Sequence, residues 1–256
     1  MTSQSEHIDL SRIASILTTS LDLTTPPVAI SFADSPTEGL PAHAGQVAAG
    51  CRFWEDATVA PFVTTAGDHS NCAIGVYTHN LPFTDAQQTD LADALKVFAD
   101  LGYVREEDLP LIPVLQSQPH SVIYAPLAAA PLPPDVVLLF VHAKQILILT
   151  EATQQVENQI APAMGRPACA VMPQVMNTGR AALSLGCCGA RAYLDALADD
   201  VALFAIPGSK LAAYTERIEA LAKANAVLSA FHALRRRDVE AGKNPTVRES
   251  LNAMNA

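Results

Sequence analysis

The chain has 256 residues, half of them hydrophobic, with 16 Lys and Arg against 26 Asp and Glu and a formal net charge of -10. So acidic a surface lacks the clustered cations that neutralise phosphates, which argues against nucleic acid or an anionic membrane as partner. The length suffices for one large domain or two small ones with a true core, so cysteine staples are not required for stability. The longest apolar candidate, 136–149, is interrupted by His142, Lys144 and Gln145 and falls short of the about 18 residues of a membrane span. The first twelve residues are polar and acidic where a secretory leader is basic and then apolar, so the cytoplasm is the expected compartment. In that reducing setting five cysteines point to ligands, reactive thiols or buried small hydrophobes, with structural disulfides disfavoured.

Ile13, Ile16, Leu17 and Leu21 recur at helical spacing and predict an amphipathic helix over 8–21, ended by Thr24, Thr25, Pro26 and Pro27. A short buried strand follows over 28–32, then a loop rich in Pro, Gly and Ala that leads to Cys51 and a short helix. Residues 61–67 predict a strand, after which Cys72 leads into Ala73, Ile74 and Gly75. Thr84 is the expected N-cap of a helix whose apolar stripe is Leu91, Leu95 and Phe98, closed by Leu101, Gly102 and Tyr103. A strand over 122–125 stops at Pro126. In the segment 128–134, AAAPLPP, three prolines in four positions can continue neither a helix nor a central strand, which divides the chain into 1–127 and 135–256.

The pattern then restarts. A strand over 135–141 precedes a helix over 144–160, although 146–149 has strand composition, and Cys169 opens CAVMPQV. The strand 181–185 ends at Gly186, and Cys187, Cys188 and Gly189 open a helix expected to run through Leu197. A last strand, 201–206, is followed by a long amphipathic helix over 209–240 carrying Leu211, Tyr214, Ile218, Leu221, Leu228 and Leu234. The basic run Arg235, Arg236, Arg237 lies in this helix beside Asp238 and Glu240 and reads as a solvated end. The polar tail 242–256 is expected to be loosely held.

Both halves therefore give strand, cysteine-led helix, strand, cysteine-led helix, strand: Val28, Cys51, Phe62, Cys72, Val122, then Val136, Cys169, Ala181, Cys187, Val201. The expected fold class is α/β, two structurally similar β-α-β-α-β halves about a pseudo-two-fold axis with N- and C-terminal helices, packed as two units or one compact domain. Equivalent cysteines would then converge at the shared boundary. A helix N-terminus favours thiolate over thiol, which suits Cys51, Cys72, Cys169 and Cys187 to metal ligation or reactivity. Four thiolates fit an iron-sulfur cluster or a structural zinc; separations of 21, 97 and 18 positions contain no C-x2-C knuckle and favour the cluster. The bland alternative is that these are buried small hydrophobes.

Cys188 faces helix packing or is a spare thiol, since adjacent cysteines project in different directions. His69 is a candidate metal ligand, proton shuttle or carboxylate contact; otherwise it is a loop histidine bonded to Asp68. Arg191, one helical turn after Cys187, would neutralise a cluster or an anionic ligand, or pair with Asp195. Trp54 reads as a core anchor, and His79, His120 and His142 have no partner at metal-ligand spacing. The sequence contains no G-x-x-x-x-G-K-[ST], no G-x-G-x-x-G after a strand, no G-x-S-x-G and no H-E-x-x-H.

From about residue 21 to 221 the chain resembles the bacterial and archaeal family of domain of unknown function 169. The likeness is carried by PPVAISF at Pro26, Cys51, DHSNCAIG at Asp68, VIYAPL at Val122, PDVVLLF at Pro134, Cys169, and LSLGCCGAR followed by FAIPGSKL. The resemblance implies a cytoplasmic prokaryotic protein whose pattern carries cysteines at Cys51, Cys72, Cys169 and Cys187, glycines at Gly75 and Gly189, and an arginine at Arg191. Alanine follows Cys72 where the family usually has proline, and Cys188 replaces a residue more often aromatic. The resulting expectation is a [4Fe-4S] cluster on those four cysteines, serving redox or electron-transfer chemistry with a small-molecule ligand or an electron-transfer partner. Arg191 and His69 would contact the ligand in the cleft between halves, and assembly as a homo-oligomer is left open. A zinc-bearing or metal-free binding protein, and a thiol enzyme with Cys72 or Cys187 as nucleophile and His69 as base, are the competing expectations.

Overall fold

The structure, a computed structural model, describes residues 9–159 and 161–254. Its centre is a run of strands whose sequences leave no polar face. Strands β4 (Val136–Val141) and β7 (Ala202–Pro207) are buried at all six positions, the pattern of strands covered on both sides. They join β1 (Val28–Ala33), β2 (Phe62–Thr64), β3 (Ser121–Pro126), β5 (Ala163–Met164) and β6 (Ala182–Ser184) in one seven-stranded sheet of order β2-β3-β1-β4-β7-β6-β5. All neighbours are antiparallel except β5 and β6. β1 pairs with β3 on one side and β4 on the other, so the sheet continues across the proline-rich segment 128–134. In the β1 and β4 pairing, Val28 faces Leu138, Ala29 faces Val137 and Ile30 faces Val136.

Alternation along these strands sorts their side chains onto two faces. Ala29, Val137, Leu139, Phe204 and Ile206 pack with α1 (Leu10–Leu21), α5 (Ala143–Glu157) and α8 (Leu211–Glu240). Val28, Ile30, Tyr124, Leu138 and Leu203 pack on the opposite side with Phe53 and Trp54 of α2 (Arg52–Asp56) and with Met172 and Val175 of α6 (Val171–Thr178). The short helices α3 (Ala73–Thr78) and α7 (Cys188–Tyr193) complete that second face, which carries the cysteines.

The predicted elements are present with revised ends. Asp9 caps α1 by accepting the Arg12 N–H at 2.9 Å; the predicted start, Ile8, lies outside the described residues. Helix α5 is helical through 146–149, where the composition also suited a strand, and ends at Asn158 in the left-handed conformation (φ 54°); Ile160 lies outside the described residues. The strand expected over 61–67 stops at Thr64, because Asp68 accepts the Thr65 N–H at 2.7 Å and folds Ala66–His69 into a 3-10 turn. The helix expected through Leu197 stops at Tyr193, where Leu194 turns extended and buries its side chain. Helix α8 keeps Leu211, Tyr214 and Ile218 buried in its first turns and Phe231 near its end, whereas Leu228 between them is 55% exposed. Within the tail, Thr246 and Glu249 exchange capping bonds and start α9 (Val247–Met254), which packs on α8.

Candidate functional site

Each candidate cysteine sits where a short helix begins. Cys51, Cys72 and Cys187 are the N-cap residues of α2, α3 and α7, and Cys169 lies in the 3-10 turn Ala168–Ala170 that leads into α6. Four separate segments thus deliver one sulfur each, and all four cysteines line a single cavity of about 70 Å³. Burial, then the nearby Cys72 and Cys187 sulfurs, pushes the Cys51 thiol up to about 12. Burial likewise raises Cys72, with Cys187 adding to the rise and the N–H groups of Gly50 and Gly75 opposing it. Cys169 is raised well above its ordinary value by burial and by Cys72, Cys187 and Cys51, against the Thr78 hydroxyl, which donates to its sulfur at 3.3 Å. The Ala190 N–H donates to the Cys187 sulfur at 3.4 Å. Negative charge on one of these sulfurs thus opposes ionisation of its neighbours. Among the described residues, no group of three or more His, Cys, Asp and Glu is gathered tightly enough to hold a single metal ion.

The rest of the cavity wall is rich in buried polar atoms without partners. Trp54, His69 and His79 line it, and the Trp54 Nε1, the His69 Nδ1 and both ring nitrogens of His79 have no hydrogen-bond partner among the described residues. The His69 Nε2 lies 3.5 Å from the Thr64 hydroxyl, and Asp68, the partner considered for it, bonds Thr65 instead. Burial lowers His69 to about 4 against a small opposing pull from Asp68, and burial followed by His69 lowers His79 to about 3. Both rings are therefore neutral at pH 7; the Thr64 hydroxyl donates to the Val122 carbonyl, so the His69 Nε2–H points to Thr64 and its Nδ1 is a bare acceptor, whereas His79 keeps one N–H without a partner. A buried polar group left without a partner costs roughly 1–3 kcal/mol, and four such atoms, donors and acceptors, lie on this one wall.

Glycines shape the same wall. A Cβ on Gly50 would lie 2.6 Å from the His69 Nδ1 and one on Gly75 would lie 3.1 Å from the Cys72 sulfur, whereas one on Gly189 would meet nothing within 4 Å. His79 has no role in the sequence reading, yet it follows Cys72 by seven positions, two helical turns along the same face, and that spacing is the signal that finds it.

Arg191 is placed elsewhere. Its guanidinium donates to the carbonyls of Leu185, Leu197, Ala198 and Val201, and Asp195, the ion-pair partner considered for it, lies 3.7 Å from Arg52 instead. Arg191 does not line the cysteine cavity and so does not join His69 there. Cys188 is exposed and borders a second, apolar pocket of about 450 Å³, together with Leu95 and Phe98 of α4 (Asp85–Asp100). The expected stripe of α4 is thus half-buried against a pocket; the helix sends only Gln87 fully inside. Ile74, Pro167, Cys187 and Gly189 border both spaces.

The model of a protein family described as uncharacterised ArCR, domain of unknown function 169, matches residues 16–217. The chain belongs to this family. No curated protein and no solved structure matches the chain. The span matched by the domain of unknown function 169 contains the four cavity cysteines, Trp54, His69 and His79, and it ends within α8.

Proposed function

We propose that this protein binds a [4Fe-4S] cluster through Cys51, Cys72, Cys169 and Cys187 and uses it for redox or electron-transfer chemistry on a small ligand. The observation that carries this reading is the common cavity: four sulfurs from four segments around a space whose remaining polar atoms lack partners. A tetrahedral zinc holds every sulfur about 2.3 Å from one atom. A cubane cluster takes one thiolate at each of its irons, so its ligands stand wider apart than those of a single ion. Trp54 and His79 would supply N–H groups to acceptors in the cavity, while Thr78 and Ala190 hold the Cys169 and Cys187 sulfurs in place. When bound, the cluster supplies electron transfer at a potential set by burial and by hydrogen bonds to sulfur. The raised Cys72 thiol is the reverse of an activated nucleophile and weighs against Cys72 as the nucleophile of a thiol enzyme.

A duplicated origin of the two halves about a pseudo-two-fold axis belongs to the same reading. It is supported by a strand order that runs β2-β3-β1 and then β4-β7-β6, the second trio mirroring the first. It is supported too by a central register that sets Ala29 against Val137, the matching positions of PPVAISF and PDVVLLF. A reducing cytoplasm suits five free cysteines, and no helix among the described residues is long and apolar enough to cross a membrane.

Anaerobic purification tests the proposal. The expected protein is brown, with about four iron and four sulfide per chain, and loses both in Cys51→Ala and Cys169→Ala. A colourless protein carrying zinc, or iron retained in both variants, would overturn it.

A further inference from the structure

We infer that the larger pocket beside the cysteine cavity binds a small, mostly apolar molecule bearing one acidic group, and that Arg166 anchors that group. The inference deepens the redox reading, on which it rests for the fate of the ligand, while the binding itself stands on the pocket. At about 450 Å³ the space is within the range of small-molecule sites. Leu95, Phe98, Tyr103, Leu111 and Ile112 make its wall apolar, and they account for a helical stripe on α4 that has no other core to enter. Leu111 is 74% exposed and Tyr103 52%, an apolar border that water alone does not explain.

Two charges interrupt this wall. Asp108 is matched: Arg105 grips its carboxylate through Nε at 2.8 Å and Nη2 at 2.7 Å. Arg166 acts on the Asp108 carboxyl at longer range but forms no ion pair within 4 Å among the described residues. It is nonetheless held in place, donating from Nη2 to the Tyr103 carbonyl at 3.0 Å with its guanidinium 5.3 Å from the centre of the Tyr103 ring. Arg166 is exposed at the rim, and its charge adds to the Arg105 hydrogen bonds that hold the Asp108 carboxyl low, but it makes no ion pair of its own; a positioned guanidinium with the rest of its fork free at the edge of an apolar wall is suited to a carboxylate or a similar planar anion. Because Cys187 and Gly189 border both spaces, the apolar part of such a ligand lies against the wall that carries one of the four sulfurs.

Isothermal titration of the protein as purified under nitrogen tests this with naphthoate and its neutral counterpart naphthylmethanol as probes. Naphthoate is expected to bind about tenfold more tightly than the alcohol. Arg166→Gln should remove that preference by weakening naphthoate alone, and Leu95→Trp, which fills the space, should weaken both probes about tenfold. Ile112→Trp stands in for Leu95→Trp should the latter lower the melting temperature. Equal binding of acid and alcohol, a preference that survives Arg166→Gln, or binding unmoved by the filling variants would overturn the inference. Iron content of the same samples separates the two readings: preference without iron keeps this site and removes the cluster, and iron without preference does the reverse.

Discussion

Gly50 and Gly189 both border the cysteine cavity and constrain it in opposite ways. A methyl on Gly50 would press within 2.6 Å of a fully buried histidine ring, so Gly50→Ala should cost about 1–3 kcal/mol and lower the melting temperature. On Gly189 the methyl meets nothing within 4 Å and the residue lies inside α7, so Gly189→Ala should leave stability unchanged or raise it by up to about 1 kcal/mol. The added carbon nonetheless takes space at the cavity wall, and iron bound per chain should fall. Calorimetry together with iron analysis checks both, and Gly189→Ala with full iron would sink the cavity as the binding place. At this scale the four cysteines are legible in the sequence because each announces a helix start. His79 is legible only through its spacing from Cys72, and Trp54 is not legible as a site residue at all, since what it faces is a space with no residue in it. The use of Arg191 is hidden for a related reason: backbone carbonyls, its partners, carry no side-chain signature.

Helix α7 is only six residues long, too short to hold itself together, and the Arg191 strap compensates. By joining the carbonyl of Leu185 to those of Leu197, Ala198 and Val201, it ties the turn after β6 to the turn before β7 and so fixes the segment that presents Cys187. Arg191→Met should therefore destabilise the protein by about 1.5–3 kcal/mol in urea unfolding, with Arg191→Lys restoring only a part because an ammonium cannot span the same fork. Unfolding midpoints equal to the parent protein would show the strap to be incidental. Among elements, the capping pair Thr84 and Gln87 makes α4 readable, with the Thr84 N–H given to Gln87 at 3.0 Å. The same signature at Thr246 and Glu249 starts α9 within a tail whose polarity masks it. The early stop of α7 is unreadable in composition, because it depends on where Leu194 finds a core.

One sheet holds the molecule together across the proline-rich segment, with β1 bonded to strands from both halves. Neither half can lose its strands without uncovering those of the other, so unfolding should be a single cooperative event. Fluorescence of Trp54, in the first half, and far-UV circular dichroism of the whole chain should trace one superimposable urea transition; two separated transitions would show independent domains. The central strands are readable in the sequence as short apolar runs, whereas the meeting of β1 with β4 is not, because apolar strands of similar composition could pair in several orders. The rim of the sheet carries a further consequence. Its outermost strands are β2, three residues long and flanked by the bridge between Ala42 and Val63, and β5, two residues long. Recruiting a neighbouring chain by adding a strand finds almost no backbone to grip, which guards this very apolar protein against fibrous growth and leaves association to side-chain surfaces.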